Sequence, residues 1–104
     1  MVYRLPDFAL HILRQYGGGE FIAVTGAKNL TFSEKGKYVV FQLPKNPKGV
    51  KYVKTTLMPE DVYSVEFLDY KMKRIDILEP VYWEELTDRF EEETGLYALL
   101  YPRN

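Results

Sequence analysis

Few side chains in this chain have the type and spacing for covalent or metal chemistry. His11 is the single histidine and cysteine is absent, which excludes thiol nucleophiles, disulfides and zinc–thiolate sites. His11 follows Asp7 by one helical turn, a spacing that predicts a surface pairing. Asp61, followed by Asp69-Tyr70-Lys71, has the residue types of a metal-dependent nuclease, in which carboxylates hold Mg²⁺ and a lysine positions the attacking water. The spacing is short, however, and Asp69 to Lys73 reads as a turn. Ser33 and Ser64 lack a nucleophile motif, and the glutamates at 84, 85 and 91–93 read as a solvated helix face. No catalytic, cofactor-binding or metal-ligating residue is assigned, and binding without catalysis is expected.

Gly17-Gly18-Gly19 invites comparison with a phosphate-binding loop. Such a loop needs a strand before the glycines, a Gly-Lys-Ser/Thr ending and a helix after it. The order read here is helix, glycines, strand, so the glycines are expected to stop a helix and bend the chain into a sheet.

Net charge is −1, but the sum hides a split. Residues 1–27 balance to zero. Residues 28–54 carry seven lysines against Glu34 alone, a balance of +6, and residues 55–104 carry twelve acidic against five basic side chains, a balance of −7. Lys35, Lys37, Lys45, Lys48, Lys51 and Lys54 interleave with Tyr38 and Tyr52 on an expected lysine-tipped hairpin. Lysines there would neutralise phosphates and tyrosines would stack on unpaired bases, so DNA or RNA is one candidate partner. No arginine lies in the hairpin, which argues against reading of base edges. Lysines also guard edge strands against aggregation.

These residues must be positioned by a small fold. Leu5, Phe8, Ala9, Ile12, Leu13 and Tyr16 recur at helical spacing, with Pro6 and Asp7 suited to the first turn. Strands are expected at Glu20–Thr25, 30–33, 37–43 and 50–57, then around Tyr63, Val65 and Phe67, and at 74–78. Period-two alternation puts Val39, Phe41, Leu43, Val53, Thr55 and Leu57 inward, and Tyr38, Val40, Gln42, Tyr52, Lys54 and Thr56 outward. Glu79-Pro80 is expected to open a second helix over 81–94, with Tyr82, Leu86 and Phe90 as its apolar stripe and Trp83 at the edge. Gly95 is its expected left-handed cap, with Leu96 folding back on Phe90. Tyr97 to Tyr101 would form a short strand or a docked tail. The expectation is a single α+β domain over 1–104: an antiparallel meander of about six strands, with an N-terminal and a C-terminal helix on one face and the lysine hairpin left free.

The block Phe21-Ile22-Ala23-Val24-Thr25-Gly26-Ala27-Lys28-Asn29, which comes after a glycine-containing helix end, resembles a block like FIAMTGAKN. That block is carried by small proteins encoded by bacteriophages and related mobile elements. Further matches are Phe41-Gln42-Leu43-Pro44, the run from Thr56 to Phe67, Val81-Tyr82-Trp83-Glu84-Glu85-Leu86 and Thr94-Gly95-Leu96-Tyr97. The resemblance implies an accessory role in the cytoplasm of a bacterial host and carries no catalytic residues with it.

The residues suggest two binding surfaces. Trp83, Glu84, Asp88, Tyr97 and Tyr101 are candidates for contact with a host or phage protein, or with a second copy of the chain, because aromatics anchor interfaces. The lysine and tyrosine set is the candidate for nucleic acid. Met1 to Asp7 lacks the apolar core of a signal peptide, and no apolar run is long enough to span a membrane, so no membrane partner is expected.

Overall fold

The computed structural model describes residues 5–97. Helix α1 (Asp7–Tyr16) begins directly after Pro6, with Asp7 at the positive end of its dipole. Its buried stripe is Ala9, Ile12, Leu13 and Tyr16, as the spacing predicts. Gly17, at φ 126°, ends the helix by donating its N–H to the Leu13 and Arg14 carbonyls.

The expected first strand is corrected to a helix. Residues 18–25 form α2 (Gly18–Thr25), and the sheet begins only afterwards. A short apolar run such as Phe21-Ile22-Ala23-Val24 has no periodicity that separates strand from helix. Packing decides it. Phe21 and Thr25 lie one helical turn apart and both are buried, and the Thr25 hydroxyl donates to the Phe21 carbonyl at 2.7 Å. The Phe21 ring sits among Tyr16, Phe41 and Phe90, at centroid distances of 4.9, 5.5 and 5.0 Å. Burial of that ring outweighs the strand preference of its neighbours. The glycines therefore do precede a helix. The element directly before them is α1 rather than a strand, and Glu20 rather than a Lys-Ser/Thr pair follows them.

Five strands make one antiparallel meander in sequence order: β1 (Lys28–Ser33), β2 (Tyr38–Gln42), β3 (Tyr52–Met58), β4 (Val62–Leu68) and β5 (Arg74–Val81). The expected alternation holds in β2, β3 and β4. Val39, Phe41, Val53, Thr55, Tyr63, Val65 and Phe67 are buried, and Tyr38, Val40, Tyr52, Lys54, Ser64 and Glu66 lie half-exposed on the other face. Pro80 lies within β5, and the helix opens later than expected. An edge strand tolerates a proline because one side of its ladder is empty. A 3₁₀ turn (Trp83–Glu85) then leads into α3 (Leu86–Thr94). Leu86 and Phe90 are buried as expected, but Tyr82 is not part of the stripe. It takes extended backbone angles as the cap of the turn, so its ring points into solvent.

The three helices share the apolar side of the sheet through one core containing Ile12, Tyr16, Phe21, Phe41, Val53, Val65, Leu86 and Phe90. Gly95 closes α3 at φ 80°, with its N–H on the Glu91 carbonyl. The Leu96 N–H turns to the Thr94 hydroxyl, so the cap is the simple left-handed form, and Leu96 packs against the core. Tyr97 is exposed, and Tyr101 lies outside the described residues. No helix among the described residues is long and apolar enough to cross a membrane.

Candidate binding surfaces

The eight residues of the expected lysine finger divide into three groups. Lys35 and Lys37 lie in the β1–β2 turn, at one end of the sheet. Lys37 is turned toward the helix layer, with Nζ 5.1 Å from the Phe8 ring centroid. Tyr38, Tyr52 and Lys54 share the face opposite the core. There the Lys54 ammonium stands 4.2 Å over the Tyr38 ring, and the edge of that ring presses on Gly36, where a Cβ would come within 2.7 Å. Tyr38 thus holds Lys54 in place rather than offering a bare ring. Glu66, opposite Lys54 in the ladder, is engaged instead by Arg74 at 2.8 Å.

Lys45, Lys48 and Lys51 belong to the β2–β3 connection, at the other end of the sheet. This loop is braced, not free. Pro47 rests on Gly95, where a Cβ would lie 3.0 Å from the proline ring, and Val50 is buried in the core. Asn46 organises the loop from within. Its amide donates to the Pro44 and Val50 carbonyls at 2.9 and 2.6 Å and accepts the Val50 N–H at 3.1 Å.

Successive connections of a meander alternate between the two ends of the sheet, so the β4–β5 turn arrives beside this loop. Asp69 shapes that turn by accepting the N–H groups of Lys71 and Lys73, both at 2.9 Å. Tyr70 is pushed outward and is 72% exposed, with Lys71 Nζ 5.6 Å from its ring centroid. Between loop and turn lies an open cleft of about 300 Å³, lined by Pro44, Lys45, Asn46, Val50, Lys51 and Tyr70. Tyr70, Lys71, Lys73 and Asn46 are not among the residues expected to contact a partner, Tyr70 and Lys71 entering only the nuclease reading. The alternation of hairpin ends is the signal that places the two turns together.

The same geometry separates the residues of the nuclease reading. Asp61 precedes β4 and Asp69 comes after it, so about 25 Å of extended chain lies between them at ordinary strand rise. No group of three His, Asp or Glu side chains suited to a metal ion occurs among the described residues. His11 is exposed on α1, and no ion pair joins it to Asp7 among the described residues.

The chain matches no protein-family model, no curated protein and no solved structure.

The expected protein-contact residues fall at both ends of α3. Trp83, Glu84 and Asp88 lie at its start and Tyr97 comes after its end, about 14 Å of helix apart at the usual rise per residue, so they are not one patch. At the start of α3, Tyr82 and Trp83 stand 53% and 56% exposed on a turn fixed from both sides. The Tyr82 N–H donates to Glu85 Oε1 at 3.1 Å, and the Glu85 N–H donates to the Tyr82 carbonyl at 2.8 Å. The Glu85 carboxylate thus reaches back to the start of its own turn, the glutamate half of a capping box. Arg89 adds contacts to Glu85 and Glu92 at 3.8 and 3.6 Å. Glu79 and Glu84, which flank the two rings in the chain, are exposed, and so is Asp88 on the next turn.

Near the far end of α3, burial raises the Glu93 carboxyl above the usual carboxylate range, and the charge and hydrogen bonding of Asp76 raise it further. Lys48 partly offsets this.

Proposed function

We propose that this chain is a small non-enzymatic binding protein of the phage or mobile-element type. It acts in the cytoplasm of a bacterial host by docking on a protein, either a host factor or a second copy of itself. The observation that supports this reading is the corner made by Tyr82 and Trp83: two adjacent large aromatics, each more than half exposed, on a turn closed by the Glu85 carboxylate accepting the Tyr82 N–H. Rings of this kind dominate interface energetics when they enter a partner's pocket, and a pre-set turn lowers the ordering cost of binding. Glu79 and Glu84, exposed close by in the chain, fit a partner with an apolar socket rimmed by basic side chains.

The test is capture from host lysate by wild type, Trp83→Ala and Tyr70→Ala, with light scattering on each purified chain. A specific protein, or a dimer, that survives Tyr70→Ala and is lost with Trp83→Ala is the expected result. Equal capture by wild type and Trp83→Ala would overturn the reading. So would a monomer that retains nothing.

A further inference from the structure

The lysine cleft at the opposite end of β5 has no part in that reading. Lys45 and Lys51 line it from the β2–β3 loop, and Lys71 and Lys73 belong to the β4–β5 turn that carries Tyr70, with Lys71 Nζ 5.6 Å from that ring. Asp69, whose Oδ1 accepts the Lys71 and Lys73 amides, is the one acidic side chain of that turn against these two lysines. Glu93 is the acid that Lys48 acts on. At the mouth stands Tyr70, the most exposed large aromatic of the sheet and its connections.

We propose that this cleft binds single-stranded nucleic acid, with Tyr70 stacking on one unpaired base and Lys45, Lys51, Lys71 and Lys73 neutralising the phosphates on either side of it. Four features favour a single strand over other polyanions. An exposed ring between lysines offers a π-face on which any unpaired base can stack, beside cations for its phosphates. The cleft, about 300 Å³, is of single-ligand size and too small to seat a double helix. Both of its walls are built rigidly, one by Asn46 and the other by Asp69, so little order need be gained on binding. The cleft cations are lysines, which fits recognition of backbone charge without a fixed base sequence.

The experiment is fluorescence anisotropy with a dye-labelled twelve-nucleotide oligothymidylate, run at a series of salt concentrations. A matching DNA duplex and poly-glutamate serve as competitors. Four phosphate contacts predict a slope of log affinity against log salt of about −3. Tyr70→Ala is expected to weaken binding about tenfold, in line with one lost base stack, while Tyr70→Phe retains it. Lys45→Gln with Lys51→Gln should flatten the slope by about half. Trp83→Ala should leave all of these values unchanged, which separates this site from the protein-docking corner. No anisotropy change at low salt overturns the proposal. Duplex or poly-glutamate competing as well as the single strand, with Tyr70→Ala without effect, overturns it too, because the surface would then respond to charge alone.

Discussion

Two buried phenols on facing elements allow a sharp test of the core. Tyr16 on α1 and Thr55 on β3 share a buried hydrogen bond of 2.7 Å between their hydroxyls. Tyr63 on β4 is equally buried, yet its hydroxyl has no partner among the described residues. Removing one oxygen from each ring should therefore act in opposite directions. Tyr16→Phe leaves the Thr55 hydroxyl buried without its partner and should cost about 1–3 kcal/mol. Tyr63→Phe removes an unmatched polar atom while keeping the ring, and should raise stability by up to about 1 kcal/mol. A domain of this size holds about 5–15 kcal/mol in total, so both changes are readable as shifts of the urea midpoint by circular dichroism.

The pH dependence of the same variants adds a second reading. Burial, with Asp61 adding to it, pushes the Tyr63 phenol up to about 12, and burial pushes Tyr16 up further. The unfolded chain gives up its phenolic protons from about pH 10. Between about pH 10 and 12 the folded state therefore binds more protons, and stability falls as pH rises. Tyr63→Phe should make that fall shallower. A loss above about 1 kcal/mol in Tyr63→Phe would show that the hydroxyl is satisfied and that the packing described around it is wrong.

Other substitutions probe the elements that build the two surfaces. Phe21→Ala should cost about 3–5 kcal/mol in chemical denaturation, because the ring joins both N-terminal helices to β2 and α3. A small loss would mean that α2 is not docked. Gly95→Ala should cost about 1–2 kcal/mol from its left-handed backbone alone, and more from the approach to Pro47, read as a lowered melting temperature. Asn46→Ala should cost about 1–3 kcal/mol through lost hydrogen bonds in the β2–β3 loop. Faster amide exchange at Gly49 and Val50 by NMR would check it.

Parts of this molecule are legible in the sequence for a definite reason. Inward and outward positions of β2, β3 and β4 repeat every second residue, so alternation alone sends Val53 and Lys54 to opposite faces. The helical stripe from Ala9 to Tyr16 is equally direct. Residues 21–24 carry no such period, and their helical state depends on rings contributed by Phe41 and Phe90, far along the chain. Spacing places Tyr82 on a buried stripe because it does not reveal that Glu85 caps the turn three residues later. The cleft is hidden from a linear reading because its walls come from two connections separated by β3 and β4. The free hairpin fails on two contacts, Pro47 against Gly95 and Val50 in the core, which join distant segments and leave no local signature.

Trp83 is the only tryptophan of the chain, so its fluorescence reports on the docking corner without labelling. Acrylamide quenching of Trp83, measured in the free chain and again in the captured complex, tests the proposed function most directly. The expected result is a ring open to quencher in the free chain, in keeping with its 56% exposure, and shielded from it once a partner is bound. A ring already shielded in the free monomer, or one equally quenched in both states, would contradict it.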